Sequence, residues 1–291
     1  MGGLRAGTLC ILAGPQGQGK TTFALQVARN SVVAGRTAIF FSFELEAESL
    51  LQKLVAMEAG ELDPHKAPSM NQIRAVFEGS HGGAGGLLDR MESLPGGVQA
   101  LLQVRKYADR LATHRSTSSH TGLATIVDEV QNMCASSGGE PPLVIVDYLQ
   151  KVNDPHDGED ERITRITEQL KDLSIEFDCP VLAIAAADRE GLEPGTRLRA
   201  RHLRGSTALA YEPDLVLILN TKSDIVARHH RMFDGNSSER FRGWSVLSVE
   251  KNRAGHDGAE LEFRKRFEQG RFESDGNAVA ERHVDERVYV D

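Results

Sequence analysis

The feature that most constrains this chain is a loop near its start that fits the pattern G-x-x-x-x-G-K-[ST], namely Gly14-Pro15-Gln16-Gly17-Gln18-Gly19-Lys20-Thr21. An apolar run over 8–13 precedes the loop, and a segment with helical spacing of apolar residues, 20–34, follows it. Glycines let the backbone N–H groups of such a loop point inward around phosphate oxygens, and the helix adds the positive end of its dipole. The sequence therefore predicts a strand, a phosphate-binding loop and a helix that together hold a nucleotide.

The predicted roles within this loop follow from the chemistry of its side chains. Lys20 supplies a mobile positive charge for the β- and γ-phosphates and is a predicted catalytic residue, and the Thr21 hydroxyl is a predicted Mg²⁺ ligand. We therefore expect ATP and Mg²⁺ as the bound cofactors. The alternative is a glycine-rich turn that contains a lysine by chance, which the strand–loop–helix context disfavours. The predicted nucleotide-binding residues are Gly14, Pro15, Gln16, Gly17, Gln18, Gly19, Lys20, Thr21 and Thr22.

Carboxylates stand directly after two other apolar runs. Asp147 follows the run 143–146, and Glu44 follows the run 38–43. In a parallel sheet the carboxyl ends of the strands meet at one edge, beside the phosphate loop. Asp147 is therefore predicted to hold the shell of the Mg²⁺ ion, and Glu44 to activate the water that attacks the γ-phosphate as a catalytic base. The alternatives are an aspartate that caps a turn and a solvated charge at the start of a loop.

Apolar runs alternate with helical segments along most of the chain, which is typical of an α/β protein with a mostly parallel, doubly wound sheet. Residues 244–250 and 259–267 are predicted to form a C-terminal antiparallel hairpin that extends this sheet. The segment 61–113 is less regular than the rest of the chain and contains a flexible glycine-rich loop at 79–86. The predicted parallel strands lie at 8–13, 38–43, 143–146, 181–184 and 215–219.

Charge and apolar content narrow the class of protein further. The formal net charge is −8, which excludes a uniformly basic surface for nucleic acid but not a local basic loop. The chain has no apolar run long enough for a membrane span, no signal-peptide core at its start, and too few cysteines for a disulfide framework. We therefore expect a cytoplasmic protein with no membrane partner, one domain over 1–275 and a flexible polar tail over 276–291.

These segments, in this order, resemble the RecA-like ATPase domain at the C-terminal end of DnaB-family replicative helicases. The resemblance covers roughly residues 3–275 and is weakest across 58–120. Besides the phosphate loop, the motifs that carry it are Gly3-Leu4-Arg5-Ala6-Gly7, Phe41-Ser42-Phe43-Glu44-Leu45, Val146-Asp147-Tyr148-Leu149-Gln150, Leu203-Arg204-Gly205-Ser206 and Lys251-Asn252-Arg253-Ala254-Gly255.

The resemblance implies a homo-oligomeric ring, usually of six subunits, with ATP bound between neighbours and DNA unwound with 5′–3′ polarity. Glu44 matches the catalytic glutamate of the family. Lys251 and Arg253 match a catalytic basic pair that reaches the nucleotide of the next subunit, where a guanidinium neutralises the charge that develops during phosphoryl transfer. From the residues alone, the alternative for this pair is two exposed charges on a hairpin.

An arginine-rich loop between residues 186 and 207 is the candidate DNA-binding element. In the family the corresponding loop lines the central channel and holds single-stranded DNA by its phosphates, and Arg204 matches best. Clustered arginines suit phosphate contacts, which need charge and bidentate donors. The alternative is a solvated surface loop. The predicted DNA-binding residues are Arg189, Arg197, Arg199, Arg201 and Arg204.

The chain also departs from the family pattern. Ala186 and Tyr211 stand where the family has glutamines, and Gly205 and Thr207 replace a glutamate and a glycine. The helical N-terminal domain of replicative helicases is not seen, so we expect either a protein other than the housekeeping helicase or a piece of a longer one. Two functions follow: a ring-forming motor on single-stranded DNA, or an ATP-controlled assembly module that binds a partner protein without unwinding. A third possibility, a RecA- or KaiC-like relative, is disfavoured by the run from Asp147 to Gln150.

Overall fold

The structure, a computed structural model, describes residues 3–81, 83, 85–155, 158–193, 196–205, 207–226, 241–274 and 276–279. The strands are β1 (Leu9–Ala13), β2 (Ala38–Ser42), β3 (Leu111–Arg115), β4 (Leu143–Asp147), β5 (Val181–Ala185), β6 (Leu215–Thr221), β7 (Trp244–Asn252), β8 (Glu260–Arg266), β9 (Arg271–Phe272) and β10 (Asn277–Ala278). The helices are α1 (Lys20–Val33), α2 (Ala47–Leu62), α3 (Met70–Phe77), α4 (Leu87–Met91), α5 (Gly97–Arg105), α6 (Leu123–Ser136), α7 (Glu159–Glu176), α8 (Ala208–Tyr211) and α9 (Lys222–Ile225). The strands form one sheet in the order β10-β8-β7-β6-β1-β5-β4-β2-β3, and β9 pairs with β8.

Six neighbouring strands, in the order β6-β1-β5-β4-β2-β3, are parallel and form most of this sheet. Strands β1, β2, β4 and β5 are buried along their whole length, so they read as continuous apolar runs rather than alternating patterns. Leu9 and Ile11 pack with α6 and α7 on one face, whereas Cys10 and Leu12 pack with α1 and α2 on the other. Helices on both faces confirm the predicted α/β class with a mostly parallel, doubly wound sheet.

An antiparallel extension follows β6, as the sequence predicts. Strand β7 pairs with β6, β8 pairs with β7, and β10 pairs with β8, each antiparallel. The predicted hairpin is therefore confirmed, with β7 ending at Asn252 and β8 beginning at Glu260. Asn277 and Ala278, from the predicted polar tail, form the short strand β10, while residues 280–291 of that tail lie outside the described part of the chain.

The segment 61–113 contains more regular structure than its sequence pattern indicates. It holds α3, α4, α5 and most of β3, an edge strand that pairs in parallel with β2. Strand β3 is half-exposed and carries polar residues, so it lacks the apolar run that identifies the buried strands. Residues 82 and 84 of the predicted glycine-rich loop lie outside the described residues. Within the part that is described, no helix combines the length and the apolar character needed to cross a membrane.

Candidate functional site

The phosphate loop connects the end of β1 to the start of α1, at the carboxyl edge of the parallel strands. Gly17 and Gly19 have positive φ angles of 76° and 85°, which side chains with a Cβ rarely adopt. A Cβ on Gly14 would collide with the carbonyl oxygen of Leu219, and one on Gly19 would lie 2.5 Å from Cζ of Phe267. The glycines are therefore needed both for the curl of the loop and for its close packing against β6 and the C-terminal hairpin.

Lys20 lies inside this loop and is half-buried. Its ammonium donates hydrogen bonds to the carbonyl oxygens of Gly14 at 2.8 Å and Pro15 at 3.0 Å. Burial lowers the pKa of Lys20, and the carboxylates of Asp147 and Glu44 act in the opposite direction. The lysine thus places a cation within the loop, held by carbonyl groups that it can leave for a phosphate.

Thr21 and Asp147 form the second part of the site. The Thr21 hydroxyl donates to Oδ2 of Asp147 at 2.6 Å, and Asp147 is only 2% exposed. Burial raises the pKa of Asp147 to about 6, while the Thr21 hydrogen bond lowers it and the charge of Glu44 raises it. A hydroxyl and a carboxylate at this distance are the hard oxygen donors that Mg²⁺ takes together with phosphate oxygens and water. The donor set therefore fits the ion, and among the described residues no group of three His, Cys, Asp or Glu side chains offers a rival metal site.

Glu44 completes this edge of the site. Strands β2 and β4 pair Ser42 with Asp147, so Glu44, two residues past Ser42, stands at the same edge and is exposed. Glu44, Asp147, Lys20 and Thr21 all line one cleft of about 610 Å³. The structure therefore brings the predicted base, the predicted metal ligands and the phosphate loop to a single cleft.

The same cleft is also lined by residues to which the sequence assigns no role in nucleotide binding. They are Leu45, Lys53, Tyr148, Ile184, Ala185, Ala187, Leu192 and Phe267. Phe267 comes from the turn after β8, more than two hundred residues after the loop it packs against, and no local pattern connects the two. Lys53 occupies a helical position in α2 where a solvated charge is the ordinary expectation.

Lys251 and Arg253 lie at the opposite ends of the parallel strands from the phosphate loop, beside the start of β6. The backbone N–H of Arg253 donates a hydrogen bond to the backbone carbonyl of Asp214. The backbone N–H of Asp214 in turn donates to the backbone carbonyl of Leu9, at the start of β1. The phosphate loop leaves the other end of β1, so roughly 16 Å of strand separates the two levels. Lys251 donates to the Tyr211 carbonyl at 2.6 Å, and Arg253 donates to the same carbonyl at 2.7 Å. The basic pair therefore faces away from the nucleotide cleft of its own chain.

Two residues of the arginine-rich loop, Arg197 and Arg199, contact the C-terminal hairpin. Arg197 is 4% exposed and forms an ion pair with Glu260, and Arg199 forms one with Glu250 at 2.6 Å. The structure corrects the prediction for Arg197, because a buried guanidinium that is paired with a carboxylate is not open to a DNA strand. Arg189 and Arg201 are exposed. No local pattern indicates this difference, because the pairing acids lie more than fifty residues away along the chain.

Arg204 is exposed, pairs with Glu159 at 2.9 Å and belongs to the lining of the nucleotide cleft. The side-chain amide of Gln150 connects this residue to the end of β5, since it donates to the Arg204 carbonyl and accepts from the Ala186 N–H, both at 3.1 Å. Tyr211, which stands like Ala186 where the family has a glutamine, is 70% exposed. Ser206 of the arginine motif lies outside the described residues.

Taken together, a mostly parallel sheet, a glycine-rich loop at the carboxyl end of β1 and an aspartate at the end of β4 define a P-loop nucleotide-binding protein. Comparison with known proteins makes the assignment more specific. The family model for the DnaB-like helicase C-terminal domain matches residues 1–75 and 98–274. The chain belongs to this family, as its motifs indicate.

Curated relatives are similar to this chain at low identity. The replicative DNA helicase DnaB of Synechocystis is 29% identical over 65% of this chain and 19% of that protein. DnaB of Treponema pallidum is 26% identical over 91% of this chain and 52% of that protein. A probable plasmid replicative DNA helicase of Chlamydia psittaci is 24% identical over 87% of this chain and 48% of that protein. The chain thus spans between about a fifth and about half the length of these relatives.

Solved structures support the fold. One of them, described as an ATPase domain, superimposes with a TM-score of 0.71 at 18% identity, covering 92% of this chain and 84% of that one. A DnaB-like replicative helicase, described with its primase interactions, gives a TM-score of 0.72 at 19% identity, covering 93% of this chain and 59% of that one. The predicted RecA-like fold is therefore confirmed.

Proposed function

We propose that this chain is an ATP-hydrolysing motor domain that works in a ring of identical subunits and moves along single-stranded DNA. The observation that carries the proposal is the shared cleft, in which Thr21 bonds Asp147 at 2.6 Å beside the Lys20 loop and Glu44. Family membership supports the same function, because the similar proteins are named replicative DNA helicases.

In the proposed reaction, the backbone amides of the phosphate loop and the helix N-terminus hold the β- and γ-phosphates of ATP. Lys20 exchanges its two carbonyl partners for phosphate oxygens. Mg²⁺, held through Thr21 and Asp147, would neutralise charge on these phosphates. Glu44 orients a water and accepts its proton as the water oxygen attacks the γ-phosphorus. The bond to the β-phosphate oxygen breaks, and ADP and phosphate leave.

Arg253 and Lys251 are proposed to complete this centre in a neighbouring subunit. Their edge of the sheet is remote from their own cleft, so within one chain they have no nucleotide to contact. A guanidinium supplied by the neighbour stabilises the charge of the transition state and makes hydrolysis depend on assembly. The ring is proposed to have six subunits, as the family resemblance implies.

DNA contact is proposed for Arg189, Arg199, Arg201 and Arg204. Arg201 and Arg189 are exposed, and Arg204 joins the loop to the nucleotide cleft through Gln150 and Ala186. Arg199 would have to exchange Glu250 for a DNA phosphate. Because Arg204 belongs to both the loop and the cleft lining, this residue is the proposed link between nucleotide state and grip on the strand.

A second function, an ATP-controlled assembly module that binds a protein partner without unwinding DNA, is favoured by a specific observation. Arg197 and Arg199 are neutralised by carboxylates of the C-terminal hairpin, so the loop presents fewer free cations than its sequence indicates. Ala186 and Tyr211 also lack the amide groups that the family places there.

Strand displacement on a forked duplex, measured together with ATP hydrolysis, tests the proposal. The motor predicts hydrolysis that single-stranded DNA stimulates, displacement of the strand, and loss of both in Lys20→Ala. The assembly module predicts a change in native mass on nucleotide binding, with no displacement and no salt-sensitive binding of single strands. Undiminished hydrolysis in Lys20→Ala would remove the phosphate loop from both functions.

A further inference from the structure

Phe267 brings an aromatic ring into the wall of the nucleotide cleft, and the phosphate chemistry gives this ring no role. Phe267 lines the cleft and packs on Gly19, at a distance that leaves no room for a Cβ on that residue. The ring is half-buried and lies edge-to-face against Phe272, with 5.3 Å between the ring centroids and an interplanar angle of 86°. Among the apolar residues of the cleft wall, Phe267 offers a flat aromatic face that the phosphates of a nucleotide do not use.

The two sides of α1 separate the polar and the aromatic parts of the cleft. Thr21 bonds Asp147, whereas Phe23 contacts Phe272 with 6.0 Å between the ring centroids. Residues two positions apart in an α-helix point in directions that differ by about 200°. The contacts of Thr21 and Phe23 therefore lie on opposite sides of the first turn of α1. The γ-phosphate belongs on the Asp147 side, with the metal ligands and Glu44. The side on which Phe267 lies is therefore the side that the metal ligands and Glu44 leave to the remainder of the nucleotide.

We propose that Phe267 is the platform on which the nucleobase stacks. A purine is flat and aromatic, and stacking on a phenyl ring covers apolar area on both without a need for hydrogen-bond partners. The proposal rests on the proposed function, since it assigns the base of the same nucleotide whose phosphates the loop holds. It makes the C-terminal hairpin, through the turn after β8, a wall of the nucleotide site.

The segment beside the ring is held in place before any ligand arrives, and the Lys265 ammonium lies over the ring, 5.9 Å from its centroid, so the proposed stacking uses the face that Lys265 does not cover. Phe272, the edge-to-face partner of the ring, is 2% exposed. The side-chain amide of Gln26 accepts from the Phe272 N–H at 2.9 Å and donates to the Phe272 carbonyl at 3.0 Å. Arg271 donates to the Gly60 carbonyl at 3.0 Å and so fixes the same segment to α2. A ring fixed in this way loses little conformational entropy when a base stacks on it, which favours binding.

Phe263 provides the matched control. It belongs to the same aromatic cluster, with 6.4 Å between its ring centroid and that of Phe23, but among the described residues it does not line the cleft. If Phe267 only supported the hairpin, replacing either ring should have similar consequences. If it stacks on the base, only Phe267 should matter for ligands that carry a base.

The test compares ADP with inorganic tripolyphosphate, which carries the phosphates and no base, by calorimetry on Phe267→Ala, Phe267→Trp and Phe263→Leu. Phe267→Ala should weaken ADP binding about tenfold, as expected for the loss of one stacking contact, and leave tripolyphosphate binding within about twofold. Phe267→Trp should retain ADP affinity, and Phe263→Leu should leave both affinities within about twofold of wild type.

Unchanged ADP affinity in Phe267→Ala would overturn the platform, as would an equal loss for ADP and tripolyphosphate, which would show that the ring merely supports the loop. Retained tripolyphosphate binding in Phe267→Ala shows that this variant is folded, and retained ADP affinity in Phe267→Trp shows that an aromatic face is what the base needs. A wild-type protein that bound neither ligand would overturn the proposed function and the platform with it, so the two failures are distinguishable.

Discussion

At the scale of one residue, the proposed role of Asp147 as a metal ligand opposes its contribution to stability. Asp147 is almost completely buried, and burial raises its pKa from 3.8 to about 6. Its compensation comes from the Thr21 hydroxyl and from the charge of Lys20. A carboxyl group in this setting is expensive to ionise until a metal ion arrives, which is the behaviour expected of a ligand held ready for a cation.

This burial predicts a pH dependence of stability. Between about pH 4 and pH 6 the folded protein holds a proton on Asp147 that the unfolded chain has lost, so the contribution of this group to stability falls as the pH rises through that window. Asp147→Asn keeps an acceptor for Thr21 and removes the ionisation. Relative to wild type, we expect the variant to gain about 1–3 kcal/mol of unfolding free energy between about pH 4 and pH 7.5.

Urea unfolding of both proteins at the two pH values, without nucleotide or Mg²⁺, measures this gain. A stability difference between variant and wild type that stays constant with pH would show that Asp147 titrates normally. The Lys20→Ala protein is a useful comparison, because the charge of Lys20 favours the ionised aspartate and its removal should widen the pH dependence.

At the scale of secondary-structure elements, the sequence predicts the strands that are buried and the site residues that stand next to them along the chain. Strands β1, β2, β4 and β5 are recognisable because covered faces demand apolar residues in succession. Strand β3 is not, since an exposed edge strand can carry Thr113 and His114. The phosphate loop, Glu44 and Asp147 are predictable for a related reason: each directly follows a recognisable strand.

What the sequence could not show depends on contacts between distant segments. The Arg197–Glu260 ion pair joins residues more than sixty positions apart, and it turns a predicted DNA contact into part of the protein interior. Phe267 reaches Gly19 from the far end of the chain. Neither contact leaves a local pattern, because tertiary packing alone brings the two partners together.

The phosphate loop yields a prediction at this scale, with a control from the same chain. Gly19 and Gly35 both have positive φ angles, of 85° and 91°, so an alanine at either position is strained. A Cβ on Gly35 meets nothing within 4 Å, whereas one on Gly19 meets the ring of Phe267. We expect both Gly19→Ala and Gly35→Ala to lower stability by about 1 kcal/mol or more.

Only Gly19→Ala should also lose nucleotide binding, by about a hundredfold or more, because its backbone amide belongs to the cradle around the phosphates. ADP titration calorimetry and thermal unfolding of the two variants separate the effects. Nucleotide affinity that survives in Gly19→Ala would mean that the curl of this loop is not what binds the phosphates.

At the scale of the whole molecule, the two groups of proposed catalytic residues lie at opposite ends of the parallel strands, so one chain cannot bring them together. The nucleotide cleft lies at the carboxyl ends of the parallel strands, and Lys251 and Arg253 lie at the other ends. If two copies were arranged head to tail, the nucleotide cleft of one copy would face Lys251 and Arg253 of the other. Repeating such a heterologous contact closes a ring when the rotation between subunits divides a full turn.

The measurement that tests this account most directly is complementation between two inactive variants. The Lys20→Ala protein has a defective phosphate loop but an intact Arg253. The Arg253→Ala protein has an intact phosphate loop but lacks the guanidinium. We predict that each variant alone hydrolyses ATP at a small fraction of the wild-type rate, and that mixing the two restores a substantial part of it. A mixture that stays as inactive as its components, or an Arg253→Ala protein with the wild-type rate, would contradict the claim that a neighbouring copy completes the hydrolytic site.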